Sequence, residues 1–130
     1  MGNIVAVLRN MPDYIGSSGR SSEEIELAEK ELECTFFKDY RKYLEEIGLA
    51  CFNGHELTGL TKEKRLDVVS VTKKQRELFG KNTFPWYVIE EANIYGIVIW
   101  QSPDGTVYAT TPNSKPKKIA NSLLEYIISE

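Results

Sequence analysis

WYVIEEANIYGIVIWQSPDGTVYATT, residues 86–111, is the stretch that decides the fold. Residues 86–89 and 97–100 are dense in β-branched and aromatic side chains, which favour strands. Residues 102–105, Ser-Pro-Asp-Gly, place proline and glycine where a tight hairpin turn needs them, so 107–111 is predicted to return beside the second strand. Apolar side chains occur on both parities of these strands. The stretch therefore predicts an antiparallel sheet that is partly covered on both faces.

Helices are predicted on both sides of this sheet in the sequence. Before it, Ser21-Ser-Glu-Glu24 matches a capping box, in which each of the two end residues bonds the backbone of the other through its side chain. An apolar stripe continues that helix, and Gly48 ends the next one, which spans 36–47. A first helix is predicted to end before Pro12, another runs over 68–79 between Asp67 and Gly80, and a last one starts at Ser122. The side chains expected to face the core from the last two helices are Val68, Val71, Leu78, Phe79, Leu124, Ile127 and Ile128.

The order of these elements predicts an α+β fold with N-terminal helices, a central and mostly antiparallel sheet, and a C-terminal helix. A length of 130 residues is that of one domain, so we expect a single domain over 1–130. No segment has the features of a signal peptide or the ~20 apolar residues of a membrane span, and we expect a cytoplasmic protein with no membrane contact. Cys34 and Cys51 are expected to be buried free thiols.

Charge is unevenly distributed along the chain. The net charge of −3 argues against a general nucleic-acid binder, which usually has a basic balance, and we expect no direct contact with nucleic acid. Residues 21–46 contain nine acidic and four basic side chains, a local charge of −5. Residues 61–81 contain three acidic and seven basic side chains, a local charge of +4. This asymmetry is typical either of solvated helix faces or of a surface that steers a charged partner.

The sequence offers little for catalysis. His55, the one histidine, follows an Asn-Gly turn, and its position favours a surface or loop-packing role over that of a general base. A pair of His55 with Cys34 or Cys51 has no supporting motif. The chain contains no phosphate-binding glycine motif and no clustered metal ligands, so we predict no cofactor, no metal and no enzymatic activity.

Six residues are candidates for contact with a partner. Glu45 and Glu46 end the third helix, and Glu90 and Glu91 end the first strand of the sheet. Neighbouring strand residues point to opposite faces, so the second pair cannot act as a catalytic dyad without a bulge, and we interpret both as solvated strand-end charges. Asn93 and Tyr95 lie in the connection between two strands, where an aromatic beside acidic and amide groups is typical of a binding surface, although hairpin packing is the alternative.

Several of these segments resemble the SUKH superfamily, to which the SMI/KNR cell-wall regulators belong. The similarity lies in the order and spacing of SSEEIELAEKEL (21–32), FKDYRKYLEEIG (37–48), the strands WYVIE and GIVIWQ, the Pro-Asp-Gly turn and IANSLLEY (119–126). The sequence departs from the family at Thr35-Phe36, where Leu-Pro often precedes the third helix, so this helix lacks a proline start.

The resemblance implies an α+β fold and, in bacteria, an immunity protein that binds and neutralises a toxin, often a nuclease. It supplies no catalytic residues, and because toxin partners vary across the family it transfers no contact residues. Our leading hypothesis is an antitoxin that blocks a cognate toxin with the acidic face of 21–46 or with the rim from Glu90 to Tyr95. The alternatives are a non-enzymatic regulatory or scaffolding module and a hydrolase that uses His55. The oligomeric state is left open.

Overall fold

A computed structural model describes residues 3–92 and 94–129 of the chain. The helices are α1 (Ile4–Arg9), α2 (Ser22–Leu32), α3 (Lys38–Glu46), α4 (Val68–Phe79) and α5 (Leu123–Ser129). The strands are β1 (Ile15–Gly16), β2 (Ala50–Phe52), β3 (His55–Glu56), β4 (Tyr87–Glu91), β5 (Val98–Gln101), β6 (Val107–Thr110) and β7 (Lys117–Ala120). The predicted α+β class, with helices before the sheet and one after it, is confirmed.

The strands form two antiparallel sheets. One has three short strands in the order β1-β2-β3, and the other is a four-stranded meander in the order β4-β5-β6-β7. The register of β4 against β5 shifts between Val88 and Glu90, which marks a bulge at the centre of β4. A single antiparallel bridge pairs Leu57, just after β3, with Glu90. The end of β4 is therefore tied to the smaller sheet.

Both faces of the larger sheet are buried, as the two-parity pattern predicts. Tyr87, Ile89 and Ile99 pack in the main hydrophobic cluster, which also contains the inward faces of α1, α2, α3 and α5. Val88 and Trp100 belong to a second cluster beneath α4. The sheet thus lies between α4 on one side and the other helices on the opposite side. Its edge strand β7 is exposed over most of its length.

A buried polar network fastens α3 to both sheets. The Thr58 hydroxyl donates to the carbonyl of Val88 at 2.8 Å, so the Tyr40 hydroxyl, 2.8 Å away, is the donor to Thr58. The Tyr43 hydroxyl donates to the carbonyl of Thr58 at 2.9 Å and accepts the backbone N–H of Ala50 at 3.0 Å. Because buried polar groups are costly when unpaired, this complete set of bonds fixes how the helix and the strands meet.

The start of α3 is held by side chains from other elements. Its N-cap residue, Phe37, makes no side-chain cap, because phenylalanine has no side-chain oxygen to accept a hydrogen bond. The Phe37 N–H instead donates to the Tyr87 hydroxyl at 2.8 Å, and the Phe36 N–H donates to the Glu29 carboxylate at 2.8 Å. The helix therefore begins where a strand tyrosine and an α2 glutamate satisfy its first amides.

Three expectations about side-chain placement were wrong. Leu78 is 73% exposed and Ile128 is 63% exposed, because each lies at the end of a helix where the opposite face meets the core. In α5 the buried positions are Leu123, Tyr126 and Ile127. Cys34 and Cys51 are free thiols, as expected, but they are half-buried instead of buried.

Candidate partner-binding surface

The two glutamates at the end of α3 are paired within their own helix. The Glu45 carboxylate lies 3.4 Å from the Arg41 guanidinium, and the Glu46 carboxylate lies 2.7 Å from the Lys42 ammonium. The hydrogen bond from Lys42 holds the pKa of Glu46 below its ordinary value. Both carboxylates lie near the surface, where a partner can compete for them.

Arg41 also reduces the negative charge of the helical face predicted from residues 21–46. Its guanidinium reaches Glu29 at 3.0 Å and Glu26 at 3.5 Å in α2 as well as Glu45 in α3. The Arg41 guanidinium thus pairs with three carboxylates and links α2 to α3. The acidic excess of this face is the −5 of the linear count, which already includes Arg41, and three of its carboxylates share that one cation.

Glu90 is buried, so its interpretation as a solvated strand-end charge is wrong. Its side chain is only 4% exposed, and its two oxygens accept the Tyr126 hydroxyl at 2.5 Å and pair with Nδ1 of His55 at 2.9 Å. The cause is tertiary, since the bridge from Leu57 and the packing of α5 close over this end of β4. Glu90 therefore cannot present its carboxylate to a partner. It instead links β3, β4 and α5.

His55 has a packing role in this cluster. Its ring stacks on Phe52 with 5.2 Å between ring centroids and 27° between planes, while Nδ1 faces Glu90. A histidine and the carboxylate that orients it are two of the three members of a catalytic triad, and the third is an activated nucleophile. Burial raises the pKa of the Cys34 thiol, which disfavours the thiolate that such a role requires.

Glu91 points to the other face of the sheet, as alternation along a strand requires. Its carboxylate accepts the Lys74 ammonium at 2.9 Å and the Gln75 amide at 2.5 Å, both from α4. Glu90 and Glu91 therefore serve opposite faces and do not form a dyad. Glu91 remains partly accessible and carries its charge at the edge of a depression between α4 and the sheet.

Tyr95 is the most exposed large hydrophobic side chain among the described residues. It is 90% exposed in the turn between β4 and β5, and its backbone φ of 54° is in the left-handed region that glycine prefers. Ile94 beside it is also exposed. The side chain is thus directed into solvent and does not pack the hairpin. Asn93, the remaining candidate in this turn, lies outside the described residues.

An apolar groove of about 640 Å³ lies next to this turn. We call it the rim groove. Its apolar walls are Leu78 and Phe79 from α4, with Ile97 and Pro112 from the connections around β5 and β6, and Glu91 lies at its edge. Sequence reasoning missed the groove because it placed Leu78 in the core. The sequence signal for the exposure of Leu78 was its position in the last turn of α4, just before Gly80 ends the helix.

Among residues 3–92 and 94–129, no three histidine, cysteine, aspartate or glutamate side chains are grouped as metal ligands would be. The helices described there are also too short or too polar to cross a bilayer.

The structure is a layered α+β domain with a buried polar framework and an exposed tyrosine in the turn between β4 and β5. The family model SUKH_5, described as SMI1-KNR4 cell-wall, matches residues 1–130. The chain belongs to this SMI1-KNR4 (SUKH) family, and the resemblance noted from the sequence is confirmed. No curated protein is significantly similar to the chain.

Proposed function

We propose that this protein is an immunity protein that binds and neutralises a cognate toxin, and that the rim groove with Tyr95 is its principal contact surface. The observation that carries the proposal is an exposed tyrosine beside an apolar groove with charged edges. Binding sites concentrate their energy in a few aromatic or apolar anchors surrounded by polar groups. Tyr95 and Leu78 are such anchors, and Glu91 with Lys74 supplies the polar edge.

Neutralisation at this surface needs no chemistry by the immunity protein. A rigid domain that covers the active-site cleft of a toxin excludes its substrate. If the toxin is a nuclease, its cleft is basic, and the acidic carboxylates at Glu45, Glu46 and Glu91 would accelerate association. Family membership supports a non-catalytic role, and the one histidine is engaged with a buried glutamate and an aromatic ring.

The test is co-expression with a toxin domain encoded beside this gene, followed by co-purification and calorimetry. Tyr95→Ala should weaken binding at least about 30-fold, the effect of losing a hot-spot aromatic, and Leu78→Ala should weaken it by about tenfold. Ile128→Ala is the matched control, because it removes an equally exposed apolar side chain from α5. Unchanged affinity for both Tyr95→Ala and Leu78→Ala would exclude the rim groove as the contact surface.

The electrostatic part is tested separately by charge reversal at Glu45, Glu46 and Glu91. We expect a slower association rate and a weaker dependence on salt, with little change in dissociation. An association rate that the reversal does not alter would reject the electrostatic contribution while leaving the apolar contact intact.

A regulatory module that binds a cellular protein is the second candidate, and the cell-wall description of the family favours it. Both candidates use a binding surface, so the partner distinguishes them. Protection of cells from a co-expressed toxin supports immunity, whereas a stable complex with a non-toxic cellular protein, without protection, supports regulation.

A further inference from the structure

A second and larger groove, of about 920 Å³, separates α2 from the start of α4 and the loop before it. We call it the interhelical groove. The α2 wall is a single stripe of Glu24, Leu27, Ala28 and Glu31, whose spacing of three and four residues puts them on one helix face. The seven steps from Glu24 to Glu31, at about 1.5 Å each, give this wall a length of roughly 10 Å, or two helical turns.

The opposite wall carries the opposite charge. Lys62 from the loop and Lys73 from α4 line it, with the apolar Leu60 and Val69 beside them. The acidic segment 21–46 and the basic segment 61–81 of the sequence therefore face each other across this groove. Leu27, which is 60% exposed, adds an apolar side chain to the α2 wall.

Two charged residues of the groove are committed to holding its shape. Arg20 donates from Nε to the carbonyl of Leu60 at 2.8 Å, and Asp67 accepts the Ser70 N–H at 3.1 Å as the N-cap of α4. These bonds fix the loop against the helices, so the groove is a feature of the folded framework. Because these two side chains are already bonded, the other charged side chains of the two walls are the ones that can contact an occupant.

The remaining charges are accessible. Lys62 forms no ion pair with any other described residue, and Lys73 pairs with Glu31 at 2.9 Å across the groove. Both members of that pair are about half exposed. Exposed pairs of this kind are weak in water, so an occupant with its own charges can replace each partner at little cost.

We infer that the interhelical groove binds one face of an amphipathic helix from a protein partner. Its apolar stripe lies against the exposed Leu27. Its basic flank faces Glu31, and its acidic flank faces Lys62 and Lys73. Helices recognised in grooves use anchors spaced over about two turns, which matches the α2 wall. Because reversing the helix would exchange its two flanks, walls of opposite charge accept only one direction.

This site is separate from the rim groove, although α4 contributes to both. Val69, Ser70 and Lys73 line the interhelical groove, whereas Leu78 and Phe79 line the rim groove. The inference therefore does not depend on which partner occupies the rim groove. It predicts a second recognition element in a partner.

A display library of helical peptides of about 16 residues, selected on the full-length protein, tests this inference. Enriched peptides should have an apolar stripe with basic residues on one flank and acidic residues on the other. Leu27→Ser should weaken their binding by about tenfold, measured by fluorescence anisotropy. Leu78→Ser, in the rim groove, is the matched control and should leave binding unchanged.

The paired exchange Glu31→Lys with Lys73→Glu provides the sharper test, because it preserves the ion pair while reversing the charge at one position of each wall. Since Glu24 and Lys62 are unchanged, each wall loses its net charge, and we expect the exchange to weaken binding of the enriched peptides by about tenfold. Three results would each overturn the inference. They are that no peptide is enriched, that neither Leu27→Ser nor the exchange changes the affinity for the peptides, and that Leu78→Ser alone weakens their binding.

Discussion

Replacing Tyr87 by phenylalanine should destabilise the protein by removing one hydroxyl from a buried hydrogen-bond chain. The Tyr87 hydroxyl accepts the Phe37 N–H at the start of α3 and donates to Oε1 of Gln101 at 2.7 Å. The Gln101 amide in turn donates to Asp39 at 3.2 Å, and Asp39 accepts the N–H of Leu124 at 3.2 Å near the start of α5. The hydroxyl is thus the first member of a chain that joins two helices to the sheet.

The magnitude follows from the two groups that lose their partner. Gln101 is fully buried, and an unsatisfied buried acceptor costs about 1–3 kcal/mol. The Phe37 N–H is partly accessible and adds about 1 kcal/mol. The expected loss is about 2–4 kcal/mol. With an unfolding entropy of about 2.1 cal/mol/K per residue over 130 residues, the melting temperature should fall by about 7–15 °C.

The assay is urea and thermal unfolding of Tyr87→Phe against Tyr108→Phe. Tyr108 stacks on Trp86 with 4.1 Å between centroids, but its hydroxyl makes no hydrogen bond to another described residue. Its loss should change stability by less than about 0.5 kcal/mol. The double variant Tyr87→Phe with Gln101→Met should lose less than the sum of the single changes, because it removes both partners. Equal stability of the two tyrosine variants would refute this account of the network.

Three other changes test separate parts of the structure. Ser21→Ala removes the N-cap of α2 and should cost about 0.5–2 kcal/mol in urea unfolding; no loss would mean that the capping box is not formed in solution. Hydrogen bonding to Arg65 lowers the pKa of Glu56 in the folded protein. The pair therefore stabilises the fold at a pH above the unfolded-state pKa of about 4.3, and this stabilisation is lost as the pH falls through the lower pKa of the folded state. The melting-temperature difference between wild type and Glu56→Gln should therefore shrink on acidification, and a difference that grows would contradict the pairing. Leu78→Ala should change the free energy of unfolding by less than about 0.5 kcal/mol, against about 2–5 kcal/mol for a core leucine, so a large loss would mean that Leu78 is buried.

Local signals in the sequence were sufficient for most of the fold. The Ser21 capping box forms as predicted, Asp67 caps α4, and Gly48 and Gly80 follow the helices that they were expected to end. Each of these signals acts within a few residues, so a linear pattern contains it. β7 was not predicted, because its sequence, Lys-Lys-Ile-Ala, owes its extended form to pairing with β6 and has no strong preference of its own.

The candidate site was less predictable because it depends on contacts between distant residues. Glu90 and Glu91 are adjacent in the sequence and similar in character, yet one is enclosed by His55 and Tyr126 while the other is bound by α4. The partners of Glu90 lie 35 and 36 residues away along the chain, beyond the reach of any local pattern. Tyr95 was selected as a candidate because an aromatic flanked by acidic and amide side chains in a strand connection is typical of a binding surface, and its contact with a partner stays a prediction.

The backbone of Tyr95 adopts a conformation that suits glycine better than tyrosine. A side chain at that φ costs on the order of 1 kcal/mol, and here it gains almost no packing in return because it projects into water. Selection for thermal stability alone would therefore favour glycine at this position. Under the proposed function, stability and partner binding make opposite demands at residue 95.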